Sequence, residues 1–368
     1  MTAPMTAPQA IILDSDHLNP AVDALTSGQV VGMPTETVYG LAGNAFDAAA
    51  VTKIFATKER PSFDPLIVHV ASDLKSVEEL SRAKVIDLNA CSLGMKTITQ
   101  KLMDAFWPGP LTMVLPKSSQ IPDLVTSGLD RVGVRMPAHP VAQKLLHQVR
   151  LPLAAPSANR FGRISPTTAT HVMEELGDRI PYIIDGGACD IGVESTVVAI
   201  DDAQIWLLRP GKISAYELQQ TAGVPVIEAP SEHEKASPGM LASHYAPKKP
   251  LYILPDFTTA AYFTPLKNQP TSFALMITVG SGSTELKALG DQGLAPVKTL
   301  ILSADEDSTQ VARQLFAAMR TLDASQADFL ITNDIQATGG LWPAISDRVR
   351  RAATKAPSDL KHGKEQHP

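Results

Sequence analysis

What most limits the fold of this chain is the spacing of its apolar residues. They come in short runs, each closed by a proline or a turn and separated from the next by a helical pattern. The runs therefore read as strands and the stretches between them as helices. QVVGM ends at Pro34, and LIVHVA (66–71) and LTMVLP (111–116) are rich in β-formers. GVRMP (133–137), LPLAAP (151–156) and YIID (182–185) are shorter candidates, and STVVAID (195–201) with QIWLL (204–208) predicts an antiparallel hairpin across Asp202-Ala203. Between the runs, Asn19-Pro20 opens and Gly28 closes one helix. Another starts after Asp47, with Val51, Ile54 and Phe55 on its apolar face and Lys58 in its last turn. Such alternation predicts an α/β fold.

The pattern stops near Val226. Residues 226–249 are polar, proline-bearing and aperiodic, so they read as a linker between a domain over 1–225 and a second over 250–355. LYIL (251–254), FALMITV (273–279), VKTLILS (297–303) and DFLITND (328–334) predict strands of a small doubly wound domain. Helices are expected over Asp307–Leu322 and Pro343–Ala353, and residues 356–368 read as a disordered tail. At 44% hydrophobic and 19% charged the chain is an ordinary globular one, and its formal net charge of −6 excludes a general nucleic-acid coat. Cys91 and Cys189 show no ligand spacing, which gives no disulfide framework and no zinc site. MTAPMTAPQA lacks the features of a secretory signal, and no apolar stretch is long enough to span a bilayer; the expectation is a cytoplasmic protein.

Five segments set polar groups beside strand ends, where ligands bind in open α/β sheets. PTETVYGL (34–41) flanks a carboxylate with two hydroxyls in an exposed turn and reads equally well as a capped turn. In KERPSFDPLIVHV (58–70), Lys58 suits a helix C-terminus and His69 a half-buried strand. Arg60, in a proline-restricted loop, is costly to order unless its fork meets a phosphate or carboxylate. Arg131 and Arg135 lie on one face of RVGVRMPAHP, around a shared anion or in surface ion pairs. LAAPSANRFGRISPT (153–167) carries Ser157, Asn159 and Ser165, the last expected as N-cap with Pro166 at N1; a helix start is also an anion site. DGGACDIGVESTV (185–197) with LLRPGK (207–212) brings Ser195 and Arg209 to paired strand ends. No P-loop, GxGxxG, GxSxG or HExxH motif occurs, so any ATP is held by an uncommon scaffold.

In this order, PTETVYGL, KxRP with PLIVH, GPLT, VRMP, PSAN with GRISPT, DGG, ESTV and LRPG resemble the YrdC-like family of threonylcarbamoyl-AMP synthases. The resemblance covers roughly residues 10–215. SPGMLASHYAP (237–247) and the final GGLWPAISDRVRRAA are similar to its longer, two-domain form. The resemblance implies a YrdC-like twisted open sheet with a deep basic cleft, plus a small C-terminal Rossmann-like domain. It implies a nucleotidyltransferase that joins L-threonine, bicarbonate and ATP into threonylcarbamoyl-AMP and pyrophosphate. A downstream tRNA threonylcarbamoyl transferase complex would use that product.

By motif position, Thr37, His69, Arg135 and Ser195, with the backbone at Ala155, would hold threonine. Arg60, Ser157, Ser165 and Arg209 would contact ATP. Lys58 and Asn159 would lie by its phosphates, with Lys58 and Arg60 in the catalytic role. Arg131 would meet nucleotide largely through backbone, and Tyr245 would cover it. The family usually has asparagine where this chain has Asp64; an acid there would repel phosphate, so Asp64 is expected to face ribose, adenine or a metal-bound water. Mg²⁺ would arrive with ATP, without a protein cage, and no tightly bound organic cofactor is implied. The rival reading is a non-catalytic RNA-binding module using the cationic cleft, against which stands the lack of an aromatic stacking set.

Overall fold

Residues 9–61, 64–229, 244–255, 257 and 272–354 are described by the structure, a computed structural model. The chain divides into two compact units, Met1–Phe161 with Ser165–Met240, and Gly162–Ile164 with Leu241–Pro368. Residues 230–243 of the stretch read as a linker, and the tail 356–368, lie outside the described residues.

The first unit is built on strands β1 (Ile11–Leu13), β2 (Val31–Met33), β3 (Gly40–Asn44), β4 (Ile67–His69), β5 (Leu111–Pro116) and β6 (Arg131–Arg135). They are followed by β7 (Leu153–Ala154), β8 (Tyr182–Ile184), β9 (Thr196–Ile200), β10 (Ile205–Arg209) and β11 (Val226–Glu228). They form one open mixed sheet in the order β1-β8-β2-β3-β7-β4-β6-β5-β9-β10-β11. The expected β9–β10 hairpin is present, Ile205 opposite Ile200. β11 corrects the linker reading. It adds parallel to β10, Ile205 beside Val226, although its residues are largely exposed. A strand held by its ladder and not by burial leaves little trace in an apolar pattern.

Helices cover both faces. On one, Leu25, Leu145 and Leu146 pack with Val31 and Met33. On the other, Val51, Ile54, Leu102 and Val172 pack with Leu41, Val68 and Val134. Each such side chain contributes about 1.5–3 kcal/mol on burial, so the apolar layers hold the frame and can carry polar groups at its rim. The helix Ala48–Lys58 starts as expected, Asp47 accepting from the Ala49 amide at 2.8 Å, and ends at Glu59 in a left-handed conformation.

The second unit holds strands β12 (Leu251–Leu254), β13 (Phe273–Ile277), β14 (Lys298–Ile301) and β15 (Phe329–Asn333), all parallel in the order β12-β15-β13-β14. β13 is buried along its whole length, as a strand covered on both faces should be. The helices Ser308–Asp323, capped by Asp307, and Trp342–Ala352 match their sequence patterns, and the unit is Rossmann-like. Gly162–Ile164 belongs here by contact: Ala246 donates to the Gly162 carbonyl at 2.7 Å, and Arg163 meets Asp323 at 3.6 Å.

Candidate active site

Register across five neighbouring strands lays down one polar row. His69 on β4 pairs with Arg135 on β6, Arg135 with Thr112 on β5, and β5 with the start of β9, after Ser195; Arg209 ends β10. The hydroxyls join the row laterally: Thr112 Oγ1 and Ser195 Oγ are 2.8 Å apart, and Arg209 donates to Ser195 Oγ at 3.2 Å and to its carbonyl at 3.1 Å. Gly211 lets LRPG turn back over this end, because a Cβ there would fall on the Thr196 amide.

The turn after Pro34 is buried, not exposed as its polarity suggested. Thr35 Oγ1 donates to the Val38 carbonyl at 2.6 Å and receives the Thr37 and Val38 amides, which folds PTET on itself. Just beyond, an added Cβ at Gly40 would crowd that of Ala155 at 3.1 Å. Arg135 then donates to Thr37 Oγ1 at 2.8 Å, and its other arm meets Glu36 at 2.6 Å. Burial pushes the Glu36 carboxyl up, but the charge of the adjacent Arg135 wins and holds it below the ordinary glutamate value. Burial, and then the same arginine, push His69 down to about 3, so its ring is neutral at physiological pH.

A second cluster sits around the end of the helix Ala48–Lys58. The Lys58 ammonium is fully buried and donates to the carbonyls of Ser157 and Asn159. Burial, and then the charge of Arg60, push it well below the ordinary lysine value. Arg60 donates to the carbonyls of Asp64 at 3.1 Å and Pro65 at 2.9 Å, and meets the Asp64 carboxylate at 2.8 Å, the two side chains 2% and 3% exposed. Asp64 therefore does not simply face outward toward a nucleotide or a metal-bound water; it is the counter-ion of Arg60. Arg60 and Arg135, two of the expected cations, thus each carry a buried carboxylate.

Ser165 does not cap a helix. The helix starts at Ala169, capped by Thr168, which receives the His171 amide at 3.2 Å, while Ser165 Oγ donates to Glu194 at 2.5 Å. The Pro166 carbonyl accepts from Tyr39, which keeps residues 165–167 alongside the PTET turn and out of helical geometry. Ala155 is buried beside β4, its amide bonded to the Ile67 carbonyl at 2.9 Å.

Arg131 does not join the cluster: it begins β6 where Arg135 ends it, and donates to the Ile200 carbonyl at 3.1 Å. Tyr245 lies in the second unit, its ring stacked on Phe316 with Arg348 over it. Thr112 and Glu194 escaped sequence reasoning although GPLT and ESTV contain them, and Glu36 entered it only as the carboxylate of a turn. Glu36 and Glu194 each stand next to a chosen residue, Thr37 and Ser195, whereas nothing beside Thr112 marked it. Among the described residues no group of three or more His, Cys, Asp or Glu side chains could hold a metal ion, and no helix is long and apolar enough to cross a membrane.

The family model described as telomere recombination, covering Sua5, YciO and YrdC proteins, matches residues 23–211. The model of the threonylcarbamoyl-AMP synthase C-terminal domain matches residues 213–354. The chain is 37% identical to a threonylcarbamoyl-AMP synthase of Pyrococcus abyssi over 343 residues, 90% of this chain and 93% of that one. It is 40% identical to one of Bacillus subtilis over 338 residues, with 90% and 92% covered. The solved structure of P. abyssi Sua5 complexed with L-threonine superposes with a TM-score of 0.78 at 34% identity, covering 94% of this chain and 98% of that one.

Proposed function

The chain belongs to the threonylcarbamoyl-AMP synthase family, and from that membership we infer that it converts L-threonine, bicarbonate and ATP into threonylcarbamoyl-AMP and pyrophosphate. The observation that carries the inference is similarity along nearly the whole chain, in both units, to synthases and to a threonine-bound relative.

Thr37, His69, Arg135 and Ser195, with the Ala155 backbone, are the proposed threonine site. Neutral His69 suits a hydroxyl, since it can accept or donate a hydrogen bond without bringing charge. Arg60, Ser157, Asn159, Ser165 and Arg209 are the proposed ATP site, and the family resemblance adds Arg131, Asp64 and Tyr245 as lesser contributors. Lys58 and Arg60 are the proposed catalytic cations. The reaction needs alignment of a carbamate with the α-phosphate and stabilisation of phosphoryl charge, and no covalent nucleophile. A polyphosphate beside Lys58 favours its charged form and reverses the depression that burial causes. Mg²⁺ bound with ATP would offset part of the phosphate charge.

The product is a labile mixed anhydride that a tRNA-modifying transferase would consume, and the cytoplasm, which holds ATP and tRNA, is the proposed compartment. An RNA-binding role is the weaker reading, because two of the arginines it would need, Arg60 and Arg135, are already paired with buried carboxylates. The test is pyrophosphate release with ATP and Mg²⁺. Release that needs both L-threonine and bicarbonate is the expected result, and none from folded protein would overturn the reading.

A further inference from the structure

Glu36 and Arg135 form a close but incomplete pair. Their side chains are 9% and 4% exposed and meet at 2.6 Å. Yet among the described residues neither Glu36 oxygen, nor Nη2 of Arg135, has an aligned hydrogen-bond partner. The amides of Glu36 itself and of Ala138 are near enough to favour its charged form without satisfying it. A carboxylate taken out of water ordinarily gathers several donors, because each missing bond leaves desolvation unrepaid. The hydroxyl of the next residue is already engaged: Thr37 Oγ1 takes the other arm of Arg135 at 2.8 Å and lies 2.9 Å from Thr35 Oγ1.

Opposite charges with spare valence on both sides complement a zwitterion. An α-amino acid brings a carboxylate for the guanidinium and an ammonium for the carboxylate, and its arrival leaves the net charge of the site unchanged. We propose that Glu36 binds the α-ammonium of the amino-acid substrate while Arg135 takes its carboxylate. The proposal rests on the synthase reading, and on Arg135 as the carboxylate partner within it. In the empty protein each charge serves as the other's placeholder, and the substrate enters by parting them.

Glu36 then determines specificity. A ligand with a hydroxyl in place of the amine can still reach Arg135, but it leaves Glu36 with a neutral donor where a cation should be. Hydrogen bonds to ionised partners are roughly twice as strong as neutral ones.

The experiment is calorimetric titration of the full chain with L-threonine and with 2,3-dihydroxybutyrate of the same configuration. The hydroxy acid is expected to bind at least tenfold more weakly. Equal affinities, or no measurable threonine binding, would overturn the proposal without need of any variant. Glu36→Gln, which keeps the shape and removes the charge, is expected to lose at least tenfold in threonine affinity and under twofold in affinity for the hydroxy acid. Equal losses for both ligands would mark a merely structural role and overturn it too. Pyrophosphate release by the unmodified protein separates the two levels. If it depends on threonine and bicarbonate while both ligands bind alike, only the role of Glu36 fails.

Discussion

Asp64→Asn removes one charge and almost no volume from a pair that is nearly sealed from water. The Arg60–Asp64 contact is 2.8 Å long with both side chains about as buried as side chains become. At an effective dielectric of about 20 the attraction at that distance is about 6 kcal/mol. Desolvation offsets part of it, and removing one member of a buried pair costs about 3–5 kcal/mol in measured cases. Arg60 would keep its carbonyl acceptors on residue 64 and Pro65. We therefore expect a loss of about 3 kcal/mol in the ATP-free protein.

ATP reverses the balance. In the native chain a phosphate must share Arg60 with Asp64, whereas in the variant it supplies the missing counter-ion. Regaining about half of the loss, roughly 1.4 kcal/mol, tightens ATP binding about tenfold. The assay is thermal unfolding of both proteins across an ATP–Mg²⁺ titration, because a ligand that binds only the folded state stabilises it according to its affinity. The variant should melt lower without ATP and gain more with it. A variant that melts like the native protein, or binds ATP more weakly, would refute the reasoning.

Three further outcomes are expected. Arg60→Ala should slow threonine-dependent pyrophosphate release by about 10²-fold or more, and a loss under threefold would remove Arg60 from the catalytic role. His69, held at about 3, should show a neutral imidazole by NMR from pH 8 down to about 4. Because its folded value lies below that of the unfolded chain, its stabilising contribution is present above about pH 6.5 and lost as pH falls toward 3; a ring titrating near 6 would contradict the burial argument. Truncation after Ala229, which keeps β11, should raise ATP consumption per product made if the second unit helps exclude water from the anhydride. Unchanged stoichiometry would show that it does not.

The sequence made the frame legible where burial and local chemistry agree. Val51, Ile54 and Phe55 announce a helix face and Asp47 its cap, and the run LTMVLP becomes a fully buried strand. It was less informative where two chemistries compete for one residue. Ser165-Pro166 has every local mark of a helix start, but Glu194 claims the hydroxyl and Thr168 takes over the cap. It was silent on pairings. Nothing local in PTET says that Glu36 will meet Arg135 across most of a hundred residues. Arg135 ends β6, so its place is set by sheet register, and register is a property of the whole sheet. For the same reason β11, with exposed side chains, could be found only through the ladder it joins.

The polar row has a consequence for how the protein is made. Its members are brought level only when β4, β6, β5, β9 and β10 lie side by side, and the last of them ends at Arg209. Chains emerge from the ribosome N-terminus first, at about 5–20 residues per second. During that interval His69, Thr112 and Arg135 exist without the strand that carries Arg209 and without the docked Ser195. A nascent chain thus passes through synthesis with its cleft unassembled, and it should begin to spend ATP only once the closing strands have joined the sheet.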